Sequence, residues 1–175
     1  MKMIISGERL ALRETVVTDL PYVLAAERDP ENRPYILPWT EQQHREALDD
    51  PDMAHLVINS LEDGQPIGFV ILIGLTNPHD HLCLQRIVVT EKGKGYGREA
   101  LRLCKRYAFE QTTAHRFWLD VKVQNMRAYQ LYLSEGFQEE GILREVLKEG
   151  NRYTSLRVMA MLRQEYISGT GLPSR

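Results

Sequence analysis

Cysteine is scarce in this chain: its 175 residues hold only Cys83 and Cys104, with no Cys-x-x-Cys pair. That excludes a disulfide framework and a cysteine-rich zinc site, and it suits a reducing compartment. Long apolar runs are also missing. The longest, residues 67–75, is about half of what a bilayer requires, and the N-terminal residues lack the apolar stretch of a secretory signal. A cytoplasmic protein with no membrane partner is expected. Nor does either charge sign dominate: 22 Lys and Arg face 24 Asp and Glu, for a net charge of -2. No overall field therefore draws the chain to nucleic acid. Internal repeats and Pro- or Gly-rich linkers are absent too. What is present, 43% hydrophobic and 26% charged residues, fits one ordinary globular domain. The expected organisation is a single domain over residues 1–167 and a flexible tail over residues 168–175.

The early region reads as one strand, residues 9–13, followed by two helices. Thr18 is placed to cap the first helix, with Pro21 in its first turn and Leu20, Val23 and Leu24 at helical spacing. After a loop with Pro34, Pro38 and Trp39, Thr40 and Gln43 have capping-box spacing for the second. The pattern then turns to strands. Residues 55–60 and 67–75 flank Asp63-Gly64 as a hairpin, and residues 82–89 add a third antiparallel strand. Residues 97–109 carry Ala100, Leu101, Cys104 and Ala108 every three or four positions, as on a helix with one buried face. Residues 117–123 alternate as a half-buried strand, Asn125 can cap a further helix, and Gly136 suits its C-terminus. Two last strands, residues 141–147 and 153–162, flank Gly150-Asn151. The sum is an α/β (α+β) domain: a mixed, mostly antiparallel central sheet of about six to seven strands flanked by about four helices.

The densest functional signal is Ile87-Val88-Val89-Thr90-Glu91-Lys92-Gly93-Lys94-Gly95-Tyr96-Gly97-Arg98, a strand running through alternating glycines into a helix. Glycines allow a ligand close to the backbone, and the free N–H groups opening a helix attract anions. Lys92, Lys94 and Arg98 add positive charge, so a phosphate-bearing cofactor is expected here. Gly95-x-Gly97-x-x-Ala100 also fits a dinucleotide fingerprint, with Asp120 near the end of the next strand. Against that reading, Thr90-Glu91-Lys92 separate strand from glycines, and the preceding strands look antiparallel.

Lys92-Gly93-Lys94-Gly95-Tyr96-Gly97 resembles the R/Q-x-x-G-x-G/A signature of the GNAT superfamily of N-acetyltransferases, with Lys92 replacing the usual Arg or Gln. Residues 125–137, with Asn125, Ala128, Tyr132 and Gly136-Phe137, resemble that family's Asn-x-x-Ala-x-x-x-Tyr-x-x-x-Gly-Phe segment. Glu8-Arg9-Leu10-Ala11-Leu12-Arg13 with Asp19-Leu20, and Glu140-Gly141-Ile142-Leu143-Arg144-Glu145, are similar to the branch that acetylates ribosomal-protein N-termini. That branch commonly carries Asp where this chain has Ser155.

The resemblance implies acetyl-coenzyme A as acyl donor. Its pyrophosphate would lie on residues 93–98 (Gly93, Lys94, Gly95, Tyr96, Gly97, Arg98) beside Lys92, and its pantetheine beside Ile87, Val88, Val89 and Asn125. It also implies direct attack by a primary amine, either of a small molecule such as a polyamine or of a protein N-terminus. Tyr132 is expected to be the acid for the departing thiolate, with a backbone N–H near Val89 polarising the carbonyl. Glu27, Asp29 and His44 are weighed as bases. His79-x-His81 lacks a third ligand, so no metal is expected. A homodimer is compatible with all of this. Two alternatives stay open: a nucleotide-binding oxidoreductase using Gly95-x-Gly97-x-x-Ala100, and a non-catalytic acyl-coenzyme A sensor.

Overall fold

The structure is a computed structural model that describes residues 2–169. Its strands are β1 (Met3–Ser6), β2 (Leu10–Glu14), β3 (Met53–Ser60), β4 (Pro66–Ile73), β5 (His81–Val89), β6 (Arg116–Lys122), β7 (Gln138–Glu149) and β8 (Arg152–Leu162). Its helices are α1 (Leu20–Arg28), α2 (Glu41–Asp49), α3 (Tyr96–Gln111), α4 (Met126–Ser134) and α5 (Arg163–Ser168). The strands form one sheet in the order β1-β2-β3-β4-β5-β6-β8-β7, antiparallel throughout except between β5 and β6.

The α+β class and the mostly antiparallel sheet are as the sequence predicts, with one more strand and one more helix. The added strand, β1, has four residues at a sheet edge, too few to print a periodic pattern. The added helix, α5, has six residues and is tied down from afar: the Arg163 guanidinium donates to the carbonyls of Phe109 and Thr112. Ser168, where a flexible tail was expected to begin, closes α5, and residues 170–175 of that tail lie outside the described residues. Among the described residues, no helix is long and apolar enough to cross a membrane.

The 67–75 apolar run has a physical reason. Val70 and Leu72 pack on the α3 side of the sheet, against Leu101 and Cys104, while Phe69 and Ile71 pack on the other side with Val23 and Ala26 of α1. A strand covered on both faces loses its polar alternation. Capping follows the sequence at two helices. Thr40 and Gln43 form the reciprocal capping box of α2, and the Asn125 side chain accepts the Ala128 N–H at 3.2 Å. At α1 the expectation fails: Thr18 lies within a 3-10 turn, Val17–Asp19, and it is Asp19 that accepts the Val16 N–H at 2.8 Å. Arg13 holds that carboxylate with two bonds of 2.7 and 2.8 Å, a bidentate pairing that a threonine cannot offer.

The feature that makes a site is the interruption between β5 and β6. Their parallel pairing runs His81↔Arg116, Leu82↔Phe117, Cys83↔Trp118 and stops, although both strands continue. Just beyond, β5 carries an extra residue against β4, since Ile71 pairs with Arg86 but Leu72 with Leu84. A bulge bends and twists its strand, and here it coincides with the point where β5 leaves β6.

Candidate active site

The splay opens into a cleft of about 1150 Å³, larger than the roughly 300–1,000 Å³ typical of drug-sized ligands. Of the residues expected at a cofactor site, Ile87, Val88, Val89, Lys92, Gly93, Gly95, Tyr96, Gly97, Arg98 and Asn125 line it, as does Tyr132. Lys94 does not: its ammonium pairs with Glu91 at 2.6 Å, and its carbonyl accepts from Arg9.

The loop between β5 and α3 turns on two left-handed glycines, Gly93 at φ +79° and Gly95 at φ +77°. A side chain is strained in that region. The first bond of the α3 ladder is Glu99 N–H to Gly95 O, at 3.3 Å, so the amides of Tyr96, Gly97 and Arg98 precede it, an arrangement that attracts anions. A Cβ on Gly97 would meet nothing nearer than Leu131 Cδ2 at 3.9 Å, which leaves the approach open. Gly95→Val is therefore expected to weaken acetyl-coenzyme A binding at least tenfold while the chain still folds. Isothermal titration calorimetry checks this, and unchanged affinity would remove the loop from phosphate binding.

The opposite rim is β5 backbone. Thr90 N–H donates to Ile67 O at 2.9 Å, on the β4 side. Alternation along a strand then turns the N–H and C=O of Val89 toward the open edge. Lys92 Nζ takes that carbonyl at 2.6 Å and Asn32 Oδ1 at the same distance. Burial, with Arg127 adding to it, pushes the Lys92 ammonium below the ordinary lysine range.

Three cations, two from the sheet and one from the loop after β5, clip the 29–40 loop to the cleft as its wall. Lys92 holds Asn32, Lys122 donates to Pro34 O at 3.0 Å, and Arg86 donates to Leu37 O at 2.6 Å. Arg86 is itself braced by a buried ion pair with Glu27. Glu27 also accepts Trp39 N–H at 2.9 Å and sits 3.2 Å from His44 Nε2, close but misaligned for a hydrogen bond. His44 Nδ1 meets His55 Nε2 at 3.0 Å, and His55 Nδ1 meets Thr15 Oγ1 at 2.9 Å. Burial, with His44 adding to it, pushes His55 down to about 4, so it is neutral at physiological pH. Glu27 and His44, weighed as bases, are both fully buried and belong to this brace rather than to the cleft surface. Asp29 spends Oδ1 on the Glu31 N–H at 2.8 Å.

On the far wall, α4 presents Tyr132, 8% exposed. Its hydroxyl has no hydrogen-bond partner among the described residues. Burial, aided by Cys104 and Asp120, pushes the phenol above its ordinary value, so it keeps its proton at neutral pH. Asp120 on β6 also lines the cleft, with no hydrogen-bond or ion-pair partner among the described residues. Its surface is open to the cleft, yet protein surrounds it closely enough for burial to push its carboxyl upward. The sequence offered Asp120 only as the acid of a dinucleotide fingerprint; the residue's place between β5 and Tyr132 needed the fold.

Behind the glycine loop, Arg98 pairs with the buried Glu135 at 2.6 Å, and Arg102 and Lys105 each reach the same carboxylate at 3.0 Å. Burial alone would raise Glu135, but hydrogen bonds from Arg102, Arg98 and Lys105 hold it below the usual carboxylate range. Three cations on one anion leave a local excess of positive charge beside the α3 N-terminus. This cluster escaped the sequence reading, because Glu135 was only an unassigned position between Tyr132 and Gly136.

The acetyltransferase (GNAT) family model matches residues 21–137. A spermidine N(1)-acetyltransferase of Vibrio cholerae serotype O1 is 31% identical over 147 residues, covering 78% of this chain and 85% of that protein. The crystal structure of spermidine N-acetyltransferase from Vibrio cholerae in complex with CoA and spermine has a TM-score of 0.82 at 26% identity, covering 91% of this chain and 98% of that one. A dodecameric structure of the Vibrio cholerae enzyme has a TM-score of 0.78 at 27% identity, covering 93% and 98%. The crossover β5-α3-β6 is parallel, as a dinucleotide site also requires, but an antiparallel sheet and a splay after Cys83 surround it. The family match runs from the first turn of α1 past the end of α4, spanning the glycine loop and both cleft walls, so this chain belongs to the acetyltransferase (GNAT) family, enzymes that take their acyl group from acetyl-coenzyme A.

Proposed function

We propose that this enzyme acetylates a primary amine of a polyamine of the spermidine class. The observation that carries the reading is the 31% identity to a spermidine N(1)-acetyltransferase. Several charged residues of the ribosomal-protein resemblance are spent by this fold on its scaffold. Arg9 pairs with Glu99 at 2.9 Å, Arg13 with Asp19, and Glu140 with Arg116. Those charges therefore support the framework and not the acceptor.

The cleft fits the acyl donor on its own geometry: free α3 amides, left-handed Gly93 and Gly95, and an open approach at Gly97. Lys92, Arg98 and the amides of residues 93–98 would hold the phosphates, and the open β5 edge with Asn125 the pantetheine. Bound there, acetyl-coenzyme A supplies an activated acyl group. Val89 N–H faces the open edge as a donor to developing negative charge on oxygen. Tyr132 Oη holds a proton, or a hydrogen bond, for a departing sulfur. A polyamine amine, with a lysine-like pKa of about 10.4, arrives protonated. Asp120, without an ion pair among the described residues and raised by burial, would attract that ammonium and take up its proton. Two titratable groups with unequal duties on one cleft divide acid from base work. The two buried free thiols, Cys83 and Cys104, suit a reducing cytoplasm.

Thiol release from acetyl-coenzyme A, measured with spermidine, amino acids and peptides as acceptors, tests the reading. Spermidine is expected to be the best acceptor, and Asp120→Asn to lower kcat/KM for it at least tenfold with acetyl-coenzyme A affinity unchanged. Turnover with peptides but none with spermidine would overturn the polyamine assignment. Full activity in Asp120→Asn would remove that residue from the reaction.

A further inference from the structure

Among the described residues, the last strand of the sheet, β7, has a neighbour on one side only, and its residues 138–146 are exposed throughout. Ile142, Leu143 and Val146 leave 46%, 46% and 49% of their surface in water. Soluble chains blunt such edges with charge or with bends. Here a bend is present. Pairing with β8 slips between Leu143 and Leu147, so residues 144–146 bulge out of the ladder. Glu145 is left-handed at φ +51°, and its N–H donates to Ser155 Oγ at 2.9 Å. Ser155, a departure from the ribosomal-protein pattern, thus anchors the protrusion.

The protruding segment is Ile142-Leu143-Arg144-Glu145-Val146-Leu147. Its chemistry is the same read inward from either end: two apolar residues, then one charge, with the two charges opposite in sign. Arg144 and Glu145 have no ion-pair partner among the described residues. A two-fold axis between them would set Arg144 against Glu145 of a second copy, Leu143 against its Val146, and Ile142 against its Leu147. Isologous contact demands self-complementarity of this kind. A peptide of single charge sign would satisfy one of the two charges and oppose the other. Leu147 also lines the cleft, so the contact would abut the active site.

We propose that this bulged edge is the contact surface for a second copy of the chain, related by a two-fold axis through the Arg144–Glu145 step. The test is the solution mass of the full chain by sedimentation equilibrium, with thermal melts as the check on folding. Wild type is expected to exceed the 20.3 kDa of one chain. Arg144→Glu gathers carboxylates from both copies at the axis and is expected to lower the mass of the assembly at least twofold. Arg144→Glu combined with Glu145→Arg rebuilds both pairs and is expected to restore the wild-type mass. All three proteins are expected to unfold in one cooperative transition, since the altered side chains are exposed within a single chain. A monomeric wild type, an Arg144→Glu assembly of unchanged mass, or a double variant that fails to regain mass would overturn the proposal.

Discussion

Tyr132→Phe is expected to lower kcat tenfold or more, a barrier increase of about 1.4 kcal/mol or greater, with little change in acetyl-coenzyme A affinity. The substitution removes one hydroxyl and nothing else of the shape. Because that hydroxyl has no hydrogen-bond partner among the described residues, its loss strands no buried donor or acceptor, and stability should hold. The ring keeps its edge contact with Phe137 at 6.0 Å. What disappears is a proton held in the cleft by a phenol that burial pushes above its ordinary value. Steady-state kinetics paired with calorimetry separates the effects. A drop in kcat with matched affinity assigns the acid role, whereas unchanged turnover would withdraw it.

Glu135→Gln is expected to destabilise the fold by about 3–5 kcal/mol, the cost of breaking a buried charge cluster by removing one partner. At roughly 2–4 °C per kcal/mol for a chain of this size, the melting temperature should fall by about 6–20 °C. The reason is Lys105, whose side chain is 5% exposed: its ammonium would lose its charged partner and keep neutral acceptors, the backbone carbonyl of position 135 at 2.8 Å and the glutamine amide oxygen. Arg98 and Arg102 are more exposed, and water screens their loss. The pH dependence has a definite sign. A carboxyl held below its unfolded value contributes stability above that value and loses it as pH falls through the folded value. Wild-type stability should thus decline on acidification below the ordinary glutamate range, near 4.5, and the Gln variant should decline less. Thermal melts between neutral and acidic pH check both statements, and parallel curves for the two proteins would contradict them.

Much of the fold was legible because its signals are local. The Thr40 and Gln43 box, the Asn125 cap and the alternation through β6 each concern residues three or four positions apart, or alternate ones, where backbone geometry fixes who meets whom. The glycine segment belongs with them: Gly93 and Gly95 are glycine because the chain there is left-handed. The brace behind the cleft wall was not legible. Glu27 and Arg86 lie 59 positions apart and His44 and His55 eleven, and a lone acid or histidine in a sequence reads as solvated surface. Glu27 and His44 consequently looked like bases facing an acceptor, while Asp120 looked like part of a different motif.

The sequence by itself determined one domain of the α+β class, a glycine-rich turn at residues 93–98 that runs into a helix, and a tyrosine at the spacing an acetyltransferase uses. Tertiary structure decided which charged groups are free to act. Lys92, Arg98, Glu27 and His44 are spent wholly or partly on partners, whereas Asp120 and Tyr132 have no hydrogen-bond or ion-pair partner among the described residues. The division has a physical cause. Backbone conformation is set largely by near neighbours, whereas the cost of burying a charge depends on whether another charge, distant in sequence, arrives to meet it.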